Sequence, residues 1–188
     1  MERFERESSQ SIYWFNRSNN LRGAAGAVWF AIKSESSEVS TFLGMESGYS
    51  FAAATRPVFT MLCGMSLELL YKAIAVERGE KPGKTHDLNK LACLARVPID
   101  SEESPLLEIL SAYIVWAGRY PVPIGTDAKT KWETNAAREW AHLWEKTSTS
   151  KLDVRRPNKN LSWKHFQKLW GTGAKAYWKL RPQTSASN

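Results

Sequence analysis

Apolar residues in this chain recur mostly at intervals of three and four rather than in alternation, so the pattern predicts helices and almost no strand. From Ser11 to Lys33, Tyr13, Phe15, Leu21, Ala25, Val28, Trp29 and Ile32 supply one apolar face. A polar stretch rich in Ser and Glu follows, from Ser34 to Ser40. The strongest element starts near Thr55, where Leu62, Met65, Leu69, Ala73 and Val76 repeat at helical spacing. Pro57 suits its first turn and Gly79 its end. This helix is expected at the centre of the core.

A Gly/Pro loop comes next and ends in Thr85, which can cap a short helix running to about Ala95. Pro98 and the acids Asp100, Glu102 and Glu103 mark a further break. Pro105 to about Gly118 reads as a helix carrying Leu106, Ile109, Leu110, Tyr113 and Trp116. Arg119 to Pro123 must be extended, because a residue before proline is pushed out of the helical region. Lys131 to Lys146 forms another amphipathic helix, with Trp132, Ala136, Trp140 and Trp144 one turn apart. Five to six helices with short loops describe an all-α bundle and exclude parallel-sheet nucleotide-binding folds.

A length of 188 residues sets one domain, or one domain with an appendage, as the expectation. The expected division is a bundle over residues 1–150 and a basic, aromatic helical segment over 151–188, whose tail from Pro182 to Asn188 is disordered. Charge separates the two parts. Residues 1–150 hold 17 Lys and Arg against 18 Asp and Glu, whereas 151–188 hold 9 against 1, so the whole +7 excess lies at the end. There Arg155, Arg156, Lys164, Lys168, Lys175 and Lys179 are interleaved with Trp163, Phe166, Trp170, Tyr177 and Trp178. Cations follow a phosphate backbone and aromatics stack on bases, so Lys164 and Lys168 become candidate RNA contacts. Trp163, Phe166, Trp170 and Tyr177 also have the spacing of a core stripe whose lysines face water, and both readings stand at this level.

Hydrophobic residues at 43% and charged residues at 24% give the balance of a globular protein rather than a disordered chain. Apolar runs such as Ala24 to Ile32 are too short to span a bilayer, and the acidic start Met-Glu-Arg-Phe-Glu-Arg-Glu is no secretory signal. No membrane association and a cytoplasmic location are therefore expected. Cys63 and Cys93 have no metal-ligand spacing and read as small buried residues. No metal and no cofactor are expected, and a Gly-rich phosphate loop, a nucleophile elbow and a paired-carboxylate site are all missing from the sequence.

Three constellations carry candidate chemistry. Glu68 and Lys72 stand four apart in the favourable order for a helical ion pair, within the most apolar helix, and a phosphate is an alternative partner for Lys72. His86 and Asp87 lie at a helix start, where unpaired N–H groups attract an anion; a phosphate or Asp87 itself can satisfy them, and His86 can brace the loop against a neighbouring helix. Arg119, before Tyr120 and Pro121, can cap the preceding carbonyls or offer its planar fork to a phosphate, with Tyr113, Trp116 and Tyr120 as stacking surfaces. His86 can act as a general base only where the fold brings Arg119 or a hydroxyl into reach. Arg138 and His142 share a helix face with Glu139 and Glu145, which reads as a solvated charged face.

Met65-Ser-Leu-Glu-Leu-Leu-Tyr-Lys-Ala, then Lys84-Thr-His-Asp-Leu-Asn-Lys-Leu, then Leu110-Ser-Ala-Tyr-Ile-Val-Trp-Ala-Gly-Arg-Tyr-Pro, in that order over about residues 55–125, together resemble the HEPN superfamily. These are small all-α domains of prokaryotic toxin–antitoxin, abortive-infection and CRISPR-linked proteins. The resemblance implies an antiparallel helical bundle that commonly dimerises, with roles from metal-independent RNA cleavage to nucleotide binding to structural support. Catalytic members share an Arg followed by four to six residues and a His. This sequence departs from that spacing: Arg138 and His142 have three residues between them, and Arg119 has no His behind it until His142.

The sequence therefore points to a HEPN-like homodimer that engages RNA or a nucleotide phosphate, as a toxin or defence component with an antitoxin or defence protein as its expected partner. The first alternative is an inactive protein-interaction bundle. The second is a noncanonical metal-independent ribonuclease using Arg119 and His86.

Overall fold

The computed structural model describes residues 3–33, 37–45, 50–147 and 155–181. The expectation for the tail from Pro182 to Asn188 lies outside the described residues, as do Ser34–Ser36 and Lys151–Val154. Among the described residues, 71% are helical. Its helices are α1 (Arg3–Ser9), α2 (Ser11–Lys33), α3 (Ser37–Phe42), α4 (Phe51–Glu77), α5 (Leu88–Ala95), α6 (Ser104–Ala112), α7 (Ala128–His142) and α8 (Trp163–Leu180). A π-helical turn, Tyr113–Ala117, continues α6. Two three-residue strands, β1 (Trp144–Lys146) and β2 (Arg155–Pro157), pair antiparallel with Trp144 opposite Pro157.

α4 is the axis of the bundle and touches α2, α5, α6, the π-turn and α8. It begins earlier than its apolar stripe suggests, because the Ser50 hydroxyl accepts from Ala53 N–H and nucleates the first turn. Pro57 consequently lies inside the helix rather than in its first turn. The other end is as expected: Gly79, at φ 78°, follows the last turn, while Gly79 N–H bonds Val76 O and Glu80 N–H bonds Ala75 O. α4 has the length and the mean hydropathy (1.4) of a membrane span, which the short apolar runs did not suggest. Yet 72% of that window is buried in the bundle, so its apolar surface is spent on core packing.

α2 runs antiparallel to α4, with Ser18 bonded to Ser66 and Trp29 against Phe59. α8 lies alongside both. Phe166, Trp170 and Tyr177 are buried, Phe15 stacks on Tyr177 at 4.5 Å, and Trp170 Nε1 donates to Ser18 Oγ. Lys164, Lys168, Lys175 and Lys179 stay on the outer face. The spacing of aromatics in α8 is thus a core stripe, and residues 163–180 share the core of the preceding helices. α6 crosses α4 at Gly64, where an added Cβ would meet Leu110 O and Ile114 Cγ1 at 2.9 Å each. Only a residue without a side chain admits so close an approach.

The segment after α7 corrects the sequence reading. The helix stops at His142, and Trp144–Lys146 forms a strand, since Glu145 finds Arg156 across the hairpin at 2.7 Å and Asn158 Nδ2 caps His142 O. The stripe Trp132, Trp140 and Trp144 is not core: Trp132 and Trp140 are exposed, and Arg155 lies over the Trp140 ring at 4.1 Å.

Candidate functional site

The site starts from a buried carboxylate. Glu68 sits midway along α4 with its side chain 8% exposed, and Lys72, one turn on and equally enclosed, donates to Oε1 at 2.6 Å. A charge so deep needs several partners. The second is His86, whose Nδ1 lies 3.0 Å from Oε2 and 3.1 Å from Oε1. A carboxylate only accepts, so Nδ1 is the donor in this contact, and the neutral form of the ring then carries its acceptor at Nε2.

The loop delivers His86 by local bonding. Gly83 takes φ 63° in the turn, Asp87 N–H donates to Thr85 Oγ1, and Asp87 Oδ1 accepts from Lys90 N–H to cap α5. Asp87, not Thr85, is the cap residue. Leu88 N–H is satisfied by Ser111 Oγ at 3.0 Å, so the N-terminus of α5 already spends these donors on protein groups. The brace against a neighbouring helix is the role that His86 Nδ1 fills, with Glu68 of α4 as its partner.

Two clefts meet at His86. The smaller, about 500 Å³, lies between α4 and the π-turn and has Glu68, His86, Val115 and Arg119 on its walls. The larger, about 1010 Å³, has His86, Asp87, Cys93, Trp116, Tyr120 and Arg138 among its lining. Arg119 and His86 are therefore brought to one cleft from positions 33 residues apart. Arg119 is only partly committed: it donates to Val115 O at 2.6 Å, with Ile114 O at 3.5 Å, and lies 5.4 Å from the Tyr120 ring centroid. The guanidinium has five N–H groups, and these contacts leave others for a ligand. It caps a π-turn, a geometry that leaves backbone carbonyls in need of such donors.

A third hollow, about 260 Å³, lies beyond the same aromatics, with Trp116, Tyr120, Trp132, Asn135 and Glu139 among its lining. Burial raises the Glu139 carboxyl above its usual range, partly offset by hydrogen bonds from Asn135 and Tyr113. Burial and the neighbouring Glu139 push the Tyr113 hydroxyl well up, and burial lowers Arg56 beside it.

The remaining candidates divide. Lys72 is enclosed and held by Glu68, so it does not wall either cleft. Lys164 and Lys168 lie on the outer face of α8, and Lys168 reaches Glu103 at 3.4 Å. Cys63 is buried, but Cys93 is exposed, contrary to expectation, because it lies on the cleft side of α5. Arg138 joins the larger cleft and pairs with Glu108 at 2.6 Å, an arrangement the sequence did not suggest because these residues are 30 apart. Trp132 was legible only as part of an aromatic stripe, and Asn135 carried no signal at all. Among the described residues no three His, Cys, Asp or Glu side chains group to hold a metal.

This geometry offers an oriented imidazole as proton acceptor, an arginine for anionic oxygen and flat rings for stacking. Compared with protein-family models, with curated proteins and with solved structures, the chain matches none.

Proposed function

We propose that this protein is a HEPN-like module that binds RNA or a nucleotide phosphate in the paired clefts around His86. The observation that carries the reading is the orientation of His86 by a buried, lysine-paired carboxylate at the seam of two clefts, beside Arg119. Arg119 offers donors for phosphate oxygen, and Trp116 and Tyr120 offer stacking faces on the larger cleft. The outer lysines of α8 supply a second, nonspecific attraction. The reading extends to a homodimer in the cytoplasm, acting in toxin–antitoxin or defence systems, as the resemblance implies.

One observation favours a second reading, metal-independent RNA cleavage. His86 has the Nδ1-to-carboxylate bond that leaves Nε2 able to take a proton from a ribose 2′-hydroxyl, while Arg119 stands on the same cleft for the phosphate charge. The departure from the usual Arg–His spacing does not prevent this, since the two side chains converge through the fold.

The test is end-labelled RNA incubated with the full chain in EDTA at two salt concentrations, beside His86→Ala and Arg119→Ala. Binding that weakens with salt and is reduced in both variants supports the module. Cleavage lost in both variants, with circular dichroism unchanged, supports the nuclease. Absence of both shift and cleavage, with no binding of a nucleoside monophosphate by calorimetry, overturns the two together.

A further inference from the structure

Four aromatic side chains and one carboxylate line the hollow of about 260 Å³ beside the larger cleft. Tyr113, Trp116, Tyr120 and Trp132 supply the rings, and among the described residues of the lining Glu139 alone carries a formal charge. A chain with a net charge of +7 thus keeps a small recess that is aromatic and negative. The faces of such rings are electron-rich and attract cations, and Tyr120 shows it: the Arg119 guanidinium lies 5.4 Å from its centroid, although Arg119 is not part of the lining.

The carboxylate is held in place without a positive partner. Its hydrogen-bond donors, Asn135 and Tyr113, are both uncharged. Burial raises the Glu139 carboxyl, as happens where no cation offsets the loss of water. Arg56 shares a separate void of about 30 Å³ with Tyr113 and Glu139, yet it is burial, Asn135 and Tyr113 that move the carboxyl.

This lining also discriminates among cations. A primary ammonium or a bare metal ion is strongly hydrated and needs several oxygens in exchange for its water. Here the walls are rings, Ala117, Pro121 and Ala136, with one carboxylate already engaged by two donors. A quaternary ammonium has no N–H to satisfy and carries its charge on a rounded set of methyl groups, so rings with a carboxylate nearby meet its needs. Size agrees, since the hollow falls just under the range of roughly 300–1,000 Å³ for whole small-molecule sites and suits a compact head group. The rest of the ligand has an exit, because Trp116 and Tyr120 also wall the larger cleft. Tyr120 and Trp132, at 47% and 45% exposed, leave the hollow open to solvent.

We propose that this hollow binds a trimethylammonium head group, enclosed by Tyr113, Trp116, Tyr120 and Trp132 and balanced by the charge of Glu139. The site does not rest on the RNA reading. A free choline-like metabolite and a trimethylated lysine side chain carry the same group, and the experiment separates these two sources.

The full chain is titrated by calorimetry, at one ionic strength, with choline, with a short peptide carrying trimethyllysine, and with 3,3-dimethylbutan-1-ol, which has the shape of choline but no charge. At least one of the two cations is expected to bind tighter than the alcohol by roughly ten-fold. Trp132→Ala, an exposed position outside the core, is expected to weaken that cation by at least about three-fold. Glu139→Gln, which keeps an oxygen for Asn135, is expected to weaken the cation and leave the alcohol unchanged. Tighter binding of choline assigns the site to a small metabolite, and tighter binding of the peptide assigns it to a modified protein. Failure of both cations to bind, binding no tighter than that of the alcohol, or affinities unchanged in Trp132→Ala overturns the proposal.

Discussion

The Nδ1 of His86 lies 3.0 Å from Oε2 of Glu68, and the two side chains sit on opposite sides of the protein surface: Glu68 is 8% exposed and His86 52%. The carboxylate is structural and the imidazole is presented. Lys72 completes the arrangement by balancing the buried charge.

Removing one partner from this pair leaves the other charged and enclosed. Lys72→Met is expected to destabilise the fold by roughly 3–5 kcal/mol, whereas the double variant Glu68→Leu with Lys72→Met recovers most of that loss. Urea unfolding of the two variants checks this. A double variant as unstable as the single one would show that His86, rather than the ion pair, carries the energy.

Gly64 sets the distance between α4 and α6. Gly64→Ala places a methyl group 2.9 Å from Leu110 O, a backbone atom that has little room to shift. The expected cost is about 1–3 kcal/mol, read as a lower denaturation midpoint with an unchanged slope.

Glu139 gives the fold a pH dependence of defined sign. Its carboxyl is raised by burial, so the folded chain keeps this proton to higher pH than the unfolded chain, where the ordinary value is 4.5. The contribution is full below that ordinary value and is lost as pH rises through the raised one. Glu139→Gln, which keeps an oxygen for Asn135 and Tyr113, is expected to flatten the stability profile above pH 4.5. Denaturation midpoints across a pH series measure it, and a profile identical to that of the unsubstituted chain would contradict the assignment.

The two thiols should separate by rate. Cys93 is exposed, while Cys63 is fully enclosed and burial pushes its thiol well up, keeping it protonated. A disulfide reagent is expected to label one thiol per native chain rapidly and the second only after unfolding. Because Cys93 lines the larger cleft, a bulky adduct there is expected to reduce the RNA shift.

Several parts of this molecule were readable along the chain. The Ser11–Lys33 helix has the bounds its spacing gave, although Tyr13 faces outward and Ser11 and Ser18 are buried, and the C-terminus of α4 matches the glycine that ends it. The stripe in α8 offered two readings, and packing against Phe15 and Ser18 decided for the core. The tryptophans of α7 show the limit of such spacing. The same interval describes a buried face in α8 and an open one at Trp132 and Trp140, because periodicity gives a face without saying what lies opposite.

By itself the sequence determined the helical class, the central place of α4, the residues His86 and Arg119 as candidates and the placement of positive charge at the end of the chain. All of these depend on neighbours within a few residues, where helix geometry dictates spacing. Only the tertiary structure decided that Glu68 holds His86, that Arg119 shares its cleft, that Arg138 meets Glu108, and that Asn135 and Trp132 line a hollow with Glu139. Those contacts join elements distant along the chain, and which faces meet is set by how whole helices pack, at glycines such as Gly64 and around a π-turn that no local pattern announces.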